Sequence, residues 1–179
     1  MNIPNMLTVS RLLMLPFILI ALFIPGEIAA VVALTLYIVG AVTDFLDGYI
    51  ARLTKQTSAV GKFLDPIADK IYVVAILFAL VGNDTISGLF ITLPVIILVR
   101  EFMVSGLREF LGPNNVSVSV TWLGKAKTAT QMIALGVLIG APIWEPLFHV
   151  GMIILLLATL LTVYSGWDYL KKALPHFTN

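Results

Sequence analysis

The sequence predicts an all-α integral membrane protein with six transmembrane helices and both termini in the cytoplasm. Three observations predict it. The 179 residues are 59% hydrophobic and 12% charged, with a mean hydropathy of +1.01, whereas a soluble domain carries about 25% charged residues. The apolar runs are long and do not alternate, which selects helices over a membrane barrel. The 11 Lys and Arg residues all gather at one end of the helices so drawn.

The first span covers 7–25, behind a short juxtamembrane segment, 1–6. The stretch from Met1 to Asn5 has no basic side chain, so the segment lacks the charged start of a cleaved signal peptide and is kept as a span. Pro25-Gly26 separates it from the second span, 28–52. A polar stretch, 53–61, leads to the third, 62–82. Gly82-Asn83-Asp84 turns the chain into 86–110, Gly112-Pro113-Asn114-Asn115 leads on to 122–142, and Pro142 to Pro146 to 146–170. These are turn-forming residues, and each span is about 19–25 residues, enough for a ~30 Å hydrocarbon core. No repeat or soluble segment interrupts the series, so 1–179 forms one domain. The absence of cysteine excludes disulfides and thiolate metal sites.

Orientation follows from charge. One end collects Arg11, Arg52, Lys55, Lys62, Lys70, Arg100, Arg108, Lys125, Lys127, Lys171 and Lys172. The other has Glu27, Asp84, Glu145 and His149. Basic residues stay on the cytoplasmic side, which places both termini there, in a cytoplasmic (inner) membrane. Trp122, Trp144 and Trp167 sit near span ends, as in an aromatic belt.

Against this background Asp44, Asp47, Asp65 and Asp69 stand out. Carboxylates at membrane depth are costly and usually functional, and four within 26 residues need cations to stay ionised together. Asp44, Asp47, Gly48 and Ala51 are spaced i, i+3, i+4 and i+7, one face of helix 2. Gly61, Asp65 and Asp69, at i, i+4 and i+8, form a stripe on helix 3. The short linker makes the two helices antiparallel neighbours, so the carboxylates converge. Hard divalent cations such as Mg²⁺ or Mn²⁺ prefer oxygen ligands, and two of them would make a clamp for a phosphoryl group. The simpler alternative is interfacial ion pairing with Arg52, Lys55, Lys62 and Lys70.

The pattern from Asp44 through Asp47-Gly48, Ala51-Arg52 and Gly61 to Asp65 and Asp69 resembles the signature of the CDP-alcohol phosphotransferases. That resemblance implies six transmembrane helices, a homodimer and two bound divalent metals. It implies transfer of a substituted phosphoryl group from a CDP-linked donor to an alcohol, with release of CMP. Asp44, Asp47 and Asp65 would be metal ligands, and Asp69 both a ligand and the general base. Gly48, Ala51 and Gly61 would line the cytidine pocket, with Arg52 in support.

The cations elsewhere invite a second anion. Arg100, Glu101 and Arg108 share a roughly 100° sector of helix 4, and Lys125 and Lys127 open helix 5. Arg100 is deep in an apolar run, Ile91 to Val104, where snorkelling does not account for it. Glu101 is expected to pair near Arg108 or to orient Arg100. Lys171 and Lys172 read as headgroup contacts, with Asp168 as a surface partner.

The segments Asn2 to Arg11, Arg100-Glu101-Phe102, Gly106 to Glu109 and Trp122 to Thr128 resemble those of family members that use CDP-diacylglycerol and sn-glycerol 3-phosphate. By that resemblance Asn5 and Thr8 approach the nucleotide or its diphosphate, and Arg100, Arg108, Lys125 and Lys127 hold the acceptor phosphate. Other acceptors with the same chemistry are phosphatidylglycerol, an inositol phosphate or serine. A cation transporter is the reading from another class, and no nucleic-acid partner is expected.

Overall fold

The computed structural model describes residues 3–54, 59–112 and 122–176, and of these the side chains at 3–5, 45, 47–54, 59–60, 62–63 and 176 lie outside the description. Six α-helices follow one another: α1 (Ile3–Phe23), α2 (Glu27–Thr54), α3 (Ala59–Gly82), α4 (Thr92–Leu111), α5 (Trp122–Ile139) and α6 (Pro146–Ala173). Short 3₁₀ turns precede α4 (Gly88–Ile91) and follow α6 (Leu174–His176). There is no strand among the described residues.

The helices match the expected segments to within a few residues. The first begins at Ile3, so most of the supposed juxtamembrane segment continues the helix. The fourth starts at Thr92, after the 3₁₀ turn, and the fifth stops at Ile139.

The termini of these helices follow local chemistry. Gly26, at φ 114°, makes the tight α1–α2 turn, a conformation that suits glycine. Asp84 adopts φ 62° beyond α3, where a short polar side chain tolerates the left-handed region. The neighbouring Asn83 amide donates to the Leu22 carbonyl at 2.9 Å, satisfying an acceptor left over at the end of α1. Pro146 occupies the first turn of α6, where its missing N–H costs nothing.

Packing divides the bundle in chain order. Helix α1 packs on α2 and α3, and α6 packs on α5 and α4, with α2 and α3 meeting α5 between the two trios. The core at the junction includes Ile18, Ala33, Tyr37, Tyr72, Ile76, Leu135 and Leu138. Small residues set the approach distance, as usual between membrane helices. A Cβ at Gly151 of α6 would lie 2.8 Å from the Leu138 side chain and 3.2 Å from its backbone nitrogen on α5.

The outer surface is apolar. Ile28, Val39, Phe78, Val99, Ile153 and Leu160 are among many large side chains left exposed. In water such a surface would drive association; here it faces lipid, and the chain is an integral membrane protein. Among the described residues, α1, α2, α4 with its 3₁₀ turn, and α6 contain stretches long and apolar enough to cross a membrane. Helices α3 and α5 carry charged residues described next: Asp65, Asp69 and Lys70 on α3, Lys125 and Lys127 on α5.

Candidate active site

Two ionic clusters lie at the end of the bundle that holds α1's start and α6's finish. The first joins α1, α2 and α3. Asp44 lies ten residues inward of Thr54 on α2, and Asp69 ten residues inward of Ala59 on α3. At 1.5 Å per residue both are about 15 Å from the helix ends. Arg11 of α1 reaches both: Nη1 donates to Asp44 Oδ1, and Nη2 to Asp69 Oδ1 at 2.7 Å. Its side chain is 3% exposed, against 39% for Asp44 and 55% for Asp69. The Thr8 hydroxyl, one turn before Arg11, donates to Asp65 Oδ1 at 3.0 Å.

Aromatic packing seats the arginine. Its guanidinium lies 5.7 Å from the Tyr72 ring centroid, within cation–π range. Tyr72 stacks on Tyr37 with ring centroids 5.7 Å apart. The Tyr72 hydroxyl donates to the Tyr37 carbonyl at 3.2 Å, and the Tyr37 hydroxyl to the Met132 carbonyl of α5 at 2.7 Å. Buried polar groups need such partners. These bonds tie the first cluster to the second trio of helices.

The second cluster joins α4, α5 and α6. Glu101 Oε1 accepts from Lys127 Nζ and, at 3.3 Å, from Arg100 Nη1. Arg100 Nη2 also donates to the Ser165 hydroxyl at 3.0 Å. Ser165 donates to the Thr162 carbonyl, and the Thr162 hydroxyl accepts from Gln131 Nε2 at 2.9 Å. All three charged side chains are largely buried, Lys127 most deeply at 5% exposure. Gly166 makes room: a Cβ there would lie 2.9 Å from Arg100 Cγ. Arg108 is exposed, its guanidinium 5.3 Å from the Tyr169 ring, and Lys125 is exposed at the start of α5.

The structure therefore brings together Asp44 and Asp69, with Asp65 beside Thr8, and separately Arg100 and Lys127. Asp47, Gly48, Ala51, Arg52 and Asn5 lie on α2 and α1 with side chains outside the described residues, and Gly61 is buried on α3. Among the described residues no three acidic or histidine side chains gather tightly enough to hold an ion alone. The donors present are nonetheless hard oxygens already converging on a cation, the chemistry a divalent ion requires.

Several sequence expectations change. Asp44 and Asp69 do form ion pairs, but with Arg11 of α1 rather than with Arg52, Lys55, Lys62 or Lys70 among the described contacts. Glu101 does meet Arg100, but its other partner is Lys127 rather than Arg108. Ser165, Thr162 and Gln131 were not expected at all, since polar residues of this kind also pack membrane helices without further function. Asp168 pairs with Lys172, as expected of a surface pair, at 2.8 Å.

The sequence profile of the CDP-alcohol phosphatidyltransferases matches residues 1–164. The chain belongs to that family. Among its relatives is a CDP-diacylglycerol–glycerol-3-phosphate 3-phosphatidyltransferase of Rickettsia felis, 40% identical over 180 residues, covering 98% of this chain and 97% of that protein. A protein of the same name from Haemophilus influenzae is 40% identical, covering 96% and 93%. Another, from Cereibacter sphaeroides, is 38% identical, covering 98% and 96%. This CDP-alcohol phosphatidyltransferase thus aligns with them from end to end, and both ionic clusters fall inside the aligned region.

Proposed function

We propose that this protein transfers the phosphatidyl group from CDP-diacylglycerol to sn-glycerol 3-phosphate, giving phosphatidylglycerophosphate and CMP. The observation that carries this reading is the near full-length identity to transferases bearing that name. The geometry supports it with two sites of opposite character. Among the described residues the α1–α3 cluster has an excess of carboxylates and suits cations; the α4–α6 cluster has an excess of cations and suits an anion.

In this reading Asp44, Asp47, Asp65 and Asp69 would hold two divalent ions, Mg²⁺ or Mn²⁺. When bound, these would neutralise the donor diphosphate and polarise the bond to the CMP leaving group. Asn5, Thr8, Gly48, Ala51, Arg52 and Gly61 would receive the CDP head. Arg100, Lys127, Arg108 and Lys125 would hold the acceptor phosphate, with Glu101 and Ser165 keeping Arg100 in place. Asp69 would take the proton of the acceptor hydroxyl as its oxygen bonds to the phosphorus bearing diacylglycerol and the bond to CMP breaks. Positioned acid–base groups of this kind contribute about 10²–10⁴-fold.

The lipid donor suits a membrane site, with its acyl tails in the bilayer and its head at the interface. The charge distribution supports six spanning helices, cytoplasmic termini and a cytoplasm-facing site in the inner membrane. The resemblance adds a homodimer.

The test is CMP release from CDP-diacylglycerol in detergent, with Mg²⁺ or Mn²⁺. Release should require sn-glycerol 3-phosphate and fall by about 10³-fold in folded Asp69→Asn. Release that needs a different alcohol would overturn the acceptor and keep the chemistry. No release with any alcohol, from folded protein, would remove the reading.

A further inference from the structure

Arg11 occupies the place where the carboxylates converge, and nothing in the transfer reaction as described requires it there. An ionised guanidinium on the ninth residue of α1, 3% exposed, is sustained only by counter-charges. It finds them on two other helices: one arm goes to Asp44 of α2, the other to Asp69 of α3. The fork geometry of arginine is what allows one cation to serve both.

The surroundings are shaped for this placement. A Cβ at Gly40 would lie 2.5 Å from the Tyr72 hydroxyl oxygen and 3.6 Å from Arg11 Cγ. Glycine at that position leaves room for the tyrosine and the arginine stem together. The Tyr72 ring face then attracts the guanidinium.

We propose that Arg11 is a resident counter-ion of the carboxylate site: it holds Asp44 and Asp69 when no divalent ion is bound and leaves them when one enters. This rests on the metal reading of those aspartates. The physical reason is exclusion. A dication would draw on the carboxylates that Arg11 now bridges, and two cations sharing them without water between would repel strongly. Arg11 therefore stabilises the metal-free bundle by joining three helices, and it lowers the affinity for metal by competition.

The experiment is Mn²⁺ titration of the purified full chain in detergent micelles, with free Mn²⁺ read by electron paramagnetic resonance. The proteins are wild type, Arg11→Met and Asp44→Asn, each also melted with and without Mn²⁺. Arg11→Met should bind Mn²⁺ about tenfold more tightly than wild type, the scale of one neighbouring charge. It should also melt below wild type without Mn²⁺, with the gap narrowing as Mn²⁺ is added. Equal or weaker Mn²⁺ binding by folded Arg11→Met would overturn the proposal. If that variant does not fold, Arg11→Lys, which keeps the charge but loses the two-armed fork, should still bind more tightly than wild type, by a smaller factor. Equal or weaker binding there overturns the proposal too. Wild-type binding that is absent, or indifferent to Asp44→Asn, would remove the metal reading and this inference with it. Binding that needs Asp44 but ignores Arg11 would sink this inference alone.

Discussion

The two ionic clusters have opposite charge ratios. In α1–α3 two carboxylates share one guanidinium; in α4–α6 an ammonium and a guanidinium share one carboxylate. The charged members of the first sit on three helices, those of the second on α4 and α5 with Ser165 of α6 attached by a hydrogen bond, and in both a cation is buried where a lone charge would be very costly. The excess sign differs. Among the described residues the ion pairs leave the first with one more carboxylate than cations and the second with one more cation than carboxylates. The partners differ as well. The carboxylates of the first cluster stay partly exposed, whereas all three charged members of the second are largely buried and continue into a hydroxyl and amide network on α5 and α6.

This contrast can be broken most severely at Glu101. Glu101→Gln should destabilise the protein by about 3 kcal/mol, because it leaves two buried cations without their shared anion. If this cluster receives the acceptor phosphate as proposed, added sn-glycerol 3-phosphate should restore more of the melting temperature in this variant than in wild type, by supplying the missing charge. Thermal unfolding in detergent reads both. A variant as stable as wild type would deny Glu101 its central place.

A smaller change sharpens the comparison at Gly166. Gly166→Ala places a methyl group against Arg100 Cγ, and overpacking of this kind costs about 1–3 kcal/mol. The displaced arginine should raise the acceptor KM several-fold, on the order of 1 kcal/mol, with the donor KM unchanged. Equal changes in both KM values would mean that the two clusters do not divide the substrates between them.

The smallest effect belongs to a pair outside both clusters. Asp168→Asn breaks an exposed i,i+4 contact to Lys172 and should change stability by less than about 0.5 kcal/mol. Activity should stay at the wild-type level. A large loss of activity would bring the end of α6 into the site.

Much of the helix count was legible in the sequence because burying backbone in lipid leaves few solutions, and apolar length announces them. Helical spacing alone also predicts Asp44 and Asp47 on one face of α2 and Gly61, Asp65 and Asp69 on one stripe of α3, and the structure brings Asp44 and Asp69 to the same arginine. Arg100 was legible from its depth. The role of Arg11 was not, because it depends on which of the other helices α1 packs against, and hydropathy carries no information about neighbours. The bonds from Arg11 span 33 and 58 residues of sequence. The Glu101–Lys127 pair spans 26, and the Tyr37–Met132 bond 95.

The sequence by itself determined that this chain lives in a membrane as a series of helices and carries carboxylates and cations at costly depth. Local periodicity and composition suffice for that, because each helix satisfies its own backbone and displays its own charges. Only the tertiary structure decided which charge meets which. Ion pairing falls off over a few ångströms, and those distances are set by small residues such as Gly40, Gly151 and Gly166 at helix contacts. The division of the described ion pairs into two clusters of opposite balance is therefore a property of packing.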